Sequence, residues 1–222
     1  MRFFFYYFLF RILLGNPILA LIIIVFLYLL VDRQFIGLFP DIFKPFRRKA
    51  RINKLKQEVS INPANVNAYK ELGELYLEAK KYKDSVNYLE KTLGKMGEYA
   101  DIHFYLGKAY YLLGEKEKGA EELKTAIEIN TKVGYGEPYI YLLDREINTS
   151  RDPEVIKELL FSIERFGTPE ILYKAGKVLL NHDRPRAREM FREAIDDYKK
   201  GPKHYRKTHR RWAFLARLNL MK

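Results

Sequence analysis

The sequence contains no cysteine, which excludes disulfides, thiolate metal sites and cysteine nucleophiles. Histidine is scarce: of the four residues, none has a second ligand at a metal spacing such as His-Glu-x-x-His. His103 takes a helical packing position, His182 lies in a turn, and His204 and His209 belong to a basic terminal helix. Phosphate-cradling glycine loops are missing too. Gly134-Tyr135-Gly136 lacks the lysine and Ser/Thr of such a loop and reads as a linker, and no Gly-x-Ser-x-Gly elbow occurs. Carboxylate pairs such as Glu121-Glu122 and Asp196-Asp197 read as solvated helical faces. Neither catalysis nor a cofactor is expected.

Negative charge is absent from one region altogether. Residues 199–222 hold nine Lys/Arg and no Asp/Glu, residues 1–51 hold eight against two, and residues 52–198 hold 23 against 26. The net +12 therefore sits at the two ends of a mildly acidic body. A chain that grips nucleic acid along its fold carries a basic stripe across that fold. This one does not, so no nucleic-acid partner is expected, and no pocket motif suggests a small-molecule substrate. Basic clusters beside an apolar segment suit the anionic face of a membrane.

That apolar segment is at the N-terminus. Ile12 to Val31 is uncharged and twenty residues long, and twenty helical residues rise about 30 Å, the thickness of a bilayer's hydrocarbon core. Upstream, Phe3 to Phe10 is rich in Phe and Tyr, which favour the headgroup region, and Gly15-Asn16-Pro17 marks a kink or turn. The run is too long for a signal peptide and ends in Val31-Asp32-Arg33 without a small-residue cleavage site. Residues 1–34 are expected to be a retained transmembrane anchor, single-pass or re-entrant at 15–17. Arg2 and Arg11 precede it, whereas Arg33, Lys44, Arg47, Arg48, Lys49 and Arg51 follow within twenty residues. The cation excess predicts that the body lies on the cytoplasmic side of the plasma (inner) membrane. Residues 35–60 are a basic juxtamembrane linker and helix, with Arg47, Arg48, Lys49 and Arg51 facing lipid headgroups.

The body is periodic. Leu72-Gly73 and Leu106-Gly107 lie 34 residues apart, and Tyr76 and Tyr110 each follow the glycine by three. Ser85, Leu89 and Thr92 recur as Gly119, Leu123 and Ala126. Small residues at Gly73, Gly107, Ser85 and Gly119 let antiparallel helices approach closely, Tyr69, Leu72, Tyr76 and Leu89 fill the seam, and Asn65 and Asp101 read as caps. The pattern resembles the tetratricopeptide-repeat family, whose period is 34 residues, and most resembles small bacterial members with an N-terminal membrane anchor. The resemblance covers residues 66–133 and returns at 169–201 through Ala175-Gly176, Leu179, Ala187, Phe191 and Ala194. Residues 136–168 are a degenerate unit in which Leu143 replaces the glycine and Glu146 an aromatic, with Asp152 capping a helix that opens on Pro153.

The fold expected is all-α: an N-terminal transmembrane helix, then a right-handed superhelical array of about four helical hairpins over 61–201 (units 66–99, 100–133, 136–168 and 169–201). A basic capping helix over 202–222 closes it. Tyr205, Thr208, Trp212 and Leu215 form its inner face, and Arg206 and Arg210 on its outer face are candidate lipid contacts.

The resemblance implies a non-enzymatic adaptor that binds protein along a concave surface lined by the first helix of each unit. It places Asn67, Lys70, Glu74 and Leu77, then Asp101, Phe104, Lys108 and Tyr111, then Tyr173, Lys177 and Leu180 on that groove. Lys70 matches one position of the Lys/Asn clamp by which some members hold a terminal carboxylate, but Glu74 and Tyr105 stand where Asn is expected. Leu77, Phe104, Tyr111 and Tyr173 point instead to an apolar helix or an extended segment as ligand. Alternative readings are an extracytoplasmic assembly or secretion factor, and a structural subunit of a larger membrane complex.

Overall fold

The structure, a computed structural model, describes residues 4, 6–8, 11, 15–35 and 43–221. Half of the aromatic stretch (residues 3, 5, 9 and 10) and residues 36–42 of the juncture lie outside the described residues. All regular elements among those described are helical. The chain divides into two compact units, Met1–Ile42 and Phe43–Lys222.

In the first unit, α1 runs from Pro17 to Phe35. Its start is set locally: Gly15 adopts a positive φ of 63°, and the Asn16 side chain accepts from the backbone N–H of Ile18 at 2.9 Å and of Leu19 at 3.3 Å. The expected twenty-residue span is thereby cut. The helical apolar part, Pro17 to Val31, rises about 22 Å, short of the roughly 30 Å of a hydrocarbon core. Among the described residues no helix is long and apolar enough to cross a membrane.

In the second unit, α2 (Lys44–Ile61) precedes four hairpins. These are α3 (Val66–Glu78) with α4 (Tyr82–Glu90), α6 (Ala100–Leu113) with α7 (Lys116–Ile129), α8 (Glu137–Asn148) with α9 (Pro153–Phe166), and α10 (Pro169–Leu179) with α11 (Arg184–Lys200). The short α5 (Leu93–Met96) follows α4, and α12 (Lys203–Leu220) ends the unit. Asn65, Asp152 and Asp183 cap α3, α9 and α11 by accepting backbone N–H bonds. Asp101 is not a cap: it lies in the first turn of α6, where Tyr99 holds the cap position.

The first two hairpins close over small residues. Ser85 Oγ donates to the Gly73 carbonyl at 2.7 Å, and a Cβ on Gly107 would stand 2.8 Å from the Gly119 carbonyl oxygen. Leu55 of α2 is buried with Ala68, Leu72 and Tyr76, so α2 packs on the first hairpin. Further on, Leu89 and Leu106 anchor one cluster, Leu123 and Leu142 the next, and Leu143, Ile163 and Phe191 the largest. Thr92 is buried but lies outside α4, its hydroxyl donating back to the Leu89 carbonyl at 2.6 Å. The third hairpin shows what its substitutions do. Leu143 is fully buried in a cluster with Ile147, Leu160 and Ile163, where the other hairpins bring a glycine close to the facing helix. Glu146 is buried as well, and its carboxylate accepts from Ser150 Oγ at 2.5 Å and Asp152 N–H at 3.1 Å, closing the turn before α9.

On α12 the buried residues are Ala213 and Ala216. Trp212 is half-buried with its ring 5.5 Å from that of Tyr173. Thr208, expected on the inner face, is exposed.

Candidate protein-binding face

The first helices α3, α6, α8 and α10 place charged side chains opposite one another. An acidic residue stands in the first turn of α6, α8 and α10: Asp101, Glu137 and Glu170. Each meets a lysine. Lys70 donates to Asp101 and lies 3.9 Å from Glu74 on its own helix. Lys108 reaches Glu137 at 3.0 Å, and Lys174 reaches the same carboxylate at 3.1 Å and Glu170 at 2.8 Å. The hairpins are thus tied by a ladder of ion pairs across their first helices.

Burial alone would raise the Glu137 pKa, but the ammonium groups of Lys108 and Lys174 hold it below the usual carboxylate range. Burial likewise disfavours the Lys174 ammonium, and Glu137 and Glu170 outweigh it, raising its pKa. Glu74 behaves oppositely. Burial pushes it above the carboxylate range against the pull of Lys70, with Asp101 and Glu71 adding like charge. Burial also pushes the Tyr105 hydroxyl up to about 12, with Glu74 and Asp101 adding to it.

Several residues assigned to a groove lining are packed instead. Leu77 is buried with Val86, Leu89 and Leu106, and Phe104 with Leu123, Val133 and Leu142. Tyr111 is buried and its hydroxyl donates to Asp144. A large side chain at these positions faces the next first helix and fills the wedge between hairpins, so it is lost to a ligand. Tyr173 is half-buried between Phe191 and Trp212. Lys70, Glu74 and Lys108 keep part of their surface, and Lys177 is exposed. The face is consequently charged and polar rather than apolar. Glu137, Tyr141 and Lys174 belong to it and were not among the expected residues. The recurring first-turn carboxylate was the signal that could have found them.

At the C-terminal end of this face Gly134, Tyr135, Glu137, Thr168, Glu170, Ile171, Tyr205, Thr208 and His209 line a cavity of about 470 Å³. Among the described residues no group of three or more His, Asp or Glu side chains is arranged to hold a metal ion.

The candidate lipid contacts divide. Arg51 makes a two-pronged pair with Glu71 at 2.5 Å, and Arg48 donates to the Glu78 carbonyl at 3.1 Å, so both are committed to α3. Arg47, Lys49 and Arg206 are exposed and Arg210 is half-buried.

Residues 170–201, the fourth hairpin, match the tetratricopeptide repeat family. The chain carries a tetratricopeptide repeat there. Solved structures with the same repeat fold include two of MamA, each with a TM-score of 0.54 at 21% identity; one covers 73% of this chain and 97% of its own, the other 70% and 85%. A third is YrrB, described as a tetratricopeptide-repeat protein with an unusual peptide-binding site, with a TM-score of 0.51 at 20% identity over 73% of this chain and 82% of its own. These likenesses concern the fold. No curated protein matches the sequence.

Proposed function

We propose that the chain is a non-enzymatic scaffold, tethered to the cytoplasmic face of the plasma (inner) membrane by its N-terminal segment. Its first-helix face receives an extended segment of a partner protein. The observation that carries the binding part is the first-helix face, where part-exposed Lys70, Glu74 and Lys108 and exposed Lys177 present charge of both signs across the first, second and fourth hairpins. An apolar helix is the weaker ligand, because Leu77, Phe104 and Tyr111, which argued for it, are buried. An extended segment can satisfy such a surface through backbone and charged side chains together.

The tether rests on α1, whose Ile18, Leu19, Leu21, Ile22, Val25, Phe26 and Leu27 are exposed around most of its circumference. An apolar surface that large belongs in lipid or against another protein. With Gly15-Asn16-Pro17 breaking the run, a segment that enters the bilayer and turns back fits better than one that crosses it. The cation excess after Val31 favours the cytoplasmic side.

The absence of native cysteine makes the test direct. A Lys177→Cys variant in intact cells should resist a membrane-impermeant maleimide and react after lysis, and labelling before lysis sinks the cytoplasmic placement. A photoreactive residue at 177 should crosslink a discrete protein species. That crosslink should weaken when Lys70 and Lys108 are reversed to Glu; an unchanged pattern removes the face from the proposal.

A further inference from the structure

Helix α12 carries an outward surface that the array does not use. Lys203, Arg206 and Lys207 are exposed near its start, and Phe214, Leu218 and Met221 are exposed near its end. At 100° per residue these six lie within about one third of the circumference, with Arg217 inside the same sector and the buried Ala213 and Ala216 beyond its Arg206 edge, about 20° and 80° further round. Elsewhere in the unit several cations meet carboxylates: Arg51 with Glu71, Lys108 with Glu137, Arg145 with Glu117. On α12, Lys203, Arg206, Lys207 and Arg217 make no ion pair among the described residues, and no acid occurs in residues 199–222 to supply one.

We infer that this face of α12 docks on an anionic phospholipid surface. The cations at its start meet headgroup phosphates, and Phe214, Leu218 and Met221, further along the same face, enter the apolar boundary. Charge complementarity identifies an anionic partner, since juxtaposed Lys and Arg near such a surface are attracted additively. The apolar triad selects lipid among anionic partners: an amphipathic helix of basic and apolar residues lies in the interface plane, whereas a nucleic-acid backbone offers nothing to bury beside Leu218 and Met221. This contact deepens the membrane reading of the proposed function and is independent of α1.

The full chain tests it, reconstituted into vesicles of phosphatidylcholine alone or with three parts in ten phosphatidylglycerol. An environment-sensitive dye is placed on Leu218→Cys in one sample and on Ile22→Cys in another. At position 218 the emission should shift to the blue in the anionic vesicles only. The shift should be lost when Arg206, Lys207 and Arg217 are all changed to Glu, with helicity by circular dichroism unchanged. Flotation of the same variant added to preformed anionic vesicles should need at least ten times more lipid. The Ile22→Cys sample reports the tether separately, so failure at 22 with a shift at 218 leaves the α12 contact standing. Equal emission from position 218 in both vesicle types overturns the inference. So does a shift produced by RNA or an acidic polypeptide and absent with anionic vesicles.

Discussion

The Lys174 ammonium lies 3.1 Å from the Glu137 carboxylate, 37 residues away in the chain, and Lys108 meets the same carboxylate from the other side. One acid therefore ties three successive first helices. Its side chain is 15% exposed and the two lysines 22% and 32%, so the pairing falls between the weak surface case and the strong buried one. Glu137→Gln should cost about 1–2 kcal/mol at pH 7, read as a lower urea midpoint with an unchanged slope. The Glu137 pKa is lower folded than unfolded. Its contribution is therefore full above the unfolded carboxylate value of about 4.3 and fades as pH falls through the folded one. Lys174, raised in the fold, contributes fully below its unfolded value of about 10.4 and loses that as pH rises through the folded one. The difference between wild type and Glu137→Gln should shrink in acid, and a constant difference down to pH 2 would contradict the ladder.

Glu74 should respond in the opposite sense. Its pKa is raised by burial, so its ionised form is a burden at neutral pH that protonation removes. Glu74→Gln should leave stability at pH 7 unchanged or raise it by up to about 1 kcal/mol, the gain disappearing in acid. A loss of stability at pH 7 would show that Lys70 outweighs the burial.

The hairpin crossings separate two glycines that look alike in sequence. A Cβ on Gly107 would meet backbone, the Gly119 carbonyl oxygen at 2.8 Å and Leu123 N at 2.9 Å, as well as Leu123 Cγ at 2.8 Å, whereas on Gly73 the three nearest atoms all belong to the Leu89 side chain. Backbone must move as a helix; Leu89, though buried, can change rotamer. Gly107→Ala should cost about 3 kcal/mol and Gly73→Ala about 1–2. Thermal unfolding of the two variants checks the order, and equal costs would argue against it.

The repeat spacing made the hairpins legible because it is set by helix packing, which small residues and their partners mark directly. Leu72, Gly73, Leu89, Leu106 and Gly107 meet as their positions imply. The binding face was less legible. Whether Phe104 or Tyr111 faces a ligand or the next hairpin depends on how consecutive hairpins wedge together, which one unit's period does not fix. The Lys174–Glu137 pair is likewise a relation between units. At the N-terminus hydropathy measured the length of the apolar run, and Gly15-Asn16-Pro17 marked the break, where Gly15 has a φ of 63° and α1 starts five residues after Ile12.

Lys80 and Gly114 are the same turn residue, 34 positions apart. Both have positive φ, 59° and 103°. The backbone N–H of Lys80 donates to Leu77 at 3.0 Å and that of Lys81 to Tyr76 at 2.9 Å. Gly114 and Glu115 repeat this with Tyr111 and Tyr110 at 3.2 and 3.0 Å. The left-handed residue ends the first helix and lets the following N–H reach back five residues, an arrangement glycine adopts without steric cost. Lysine holds it with a Cβ against the carbonyl, at about 1 kcal/mol. Lys80→Gly should therefore stabilise the array by up to about 1 kcal/mol, part of the gain being offset by the greater freedom of glycine in the unfolded chain. Gly114→Ala should destabilise it by about 1 kcal/mol, since nothing within 4 Å blocks its Cβ and only the backbone conformation resists. Opposite signs for the two substitutions, measured by urea unfolding, are the expected outcome. A loss of stability in Lys80→Gly would mean that the lysine side chain contributes more than its conformation costs.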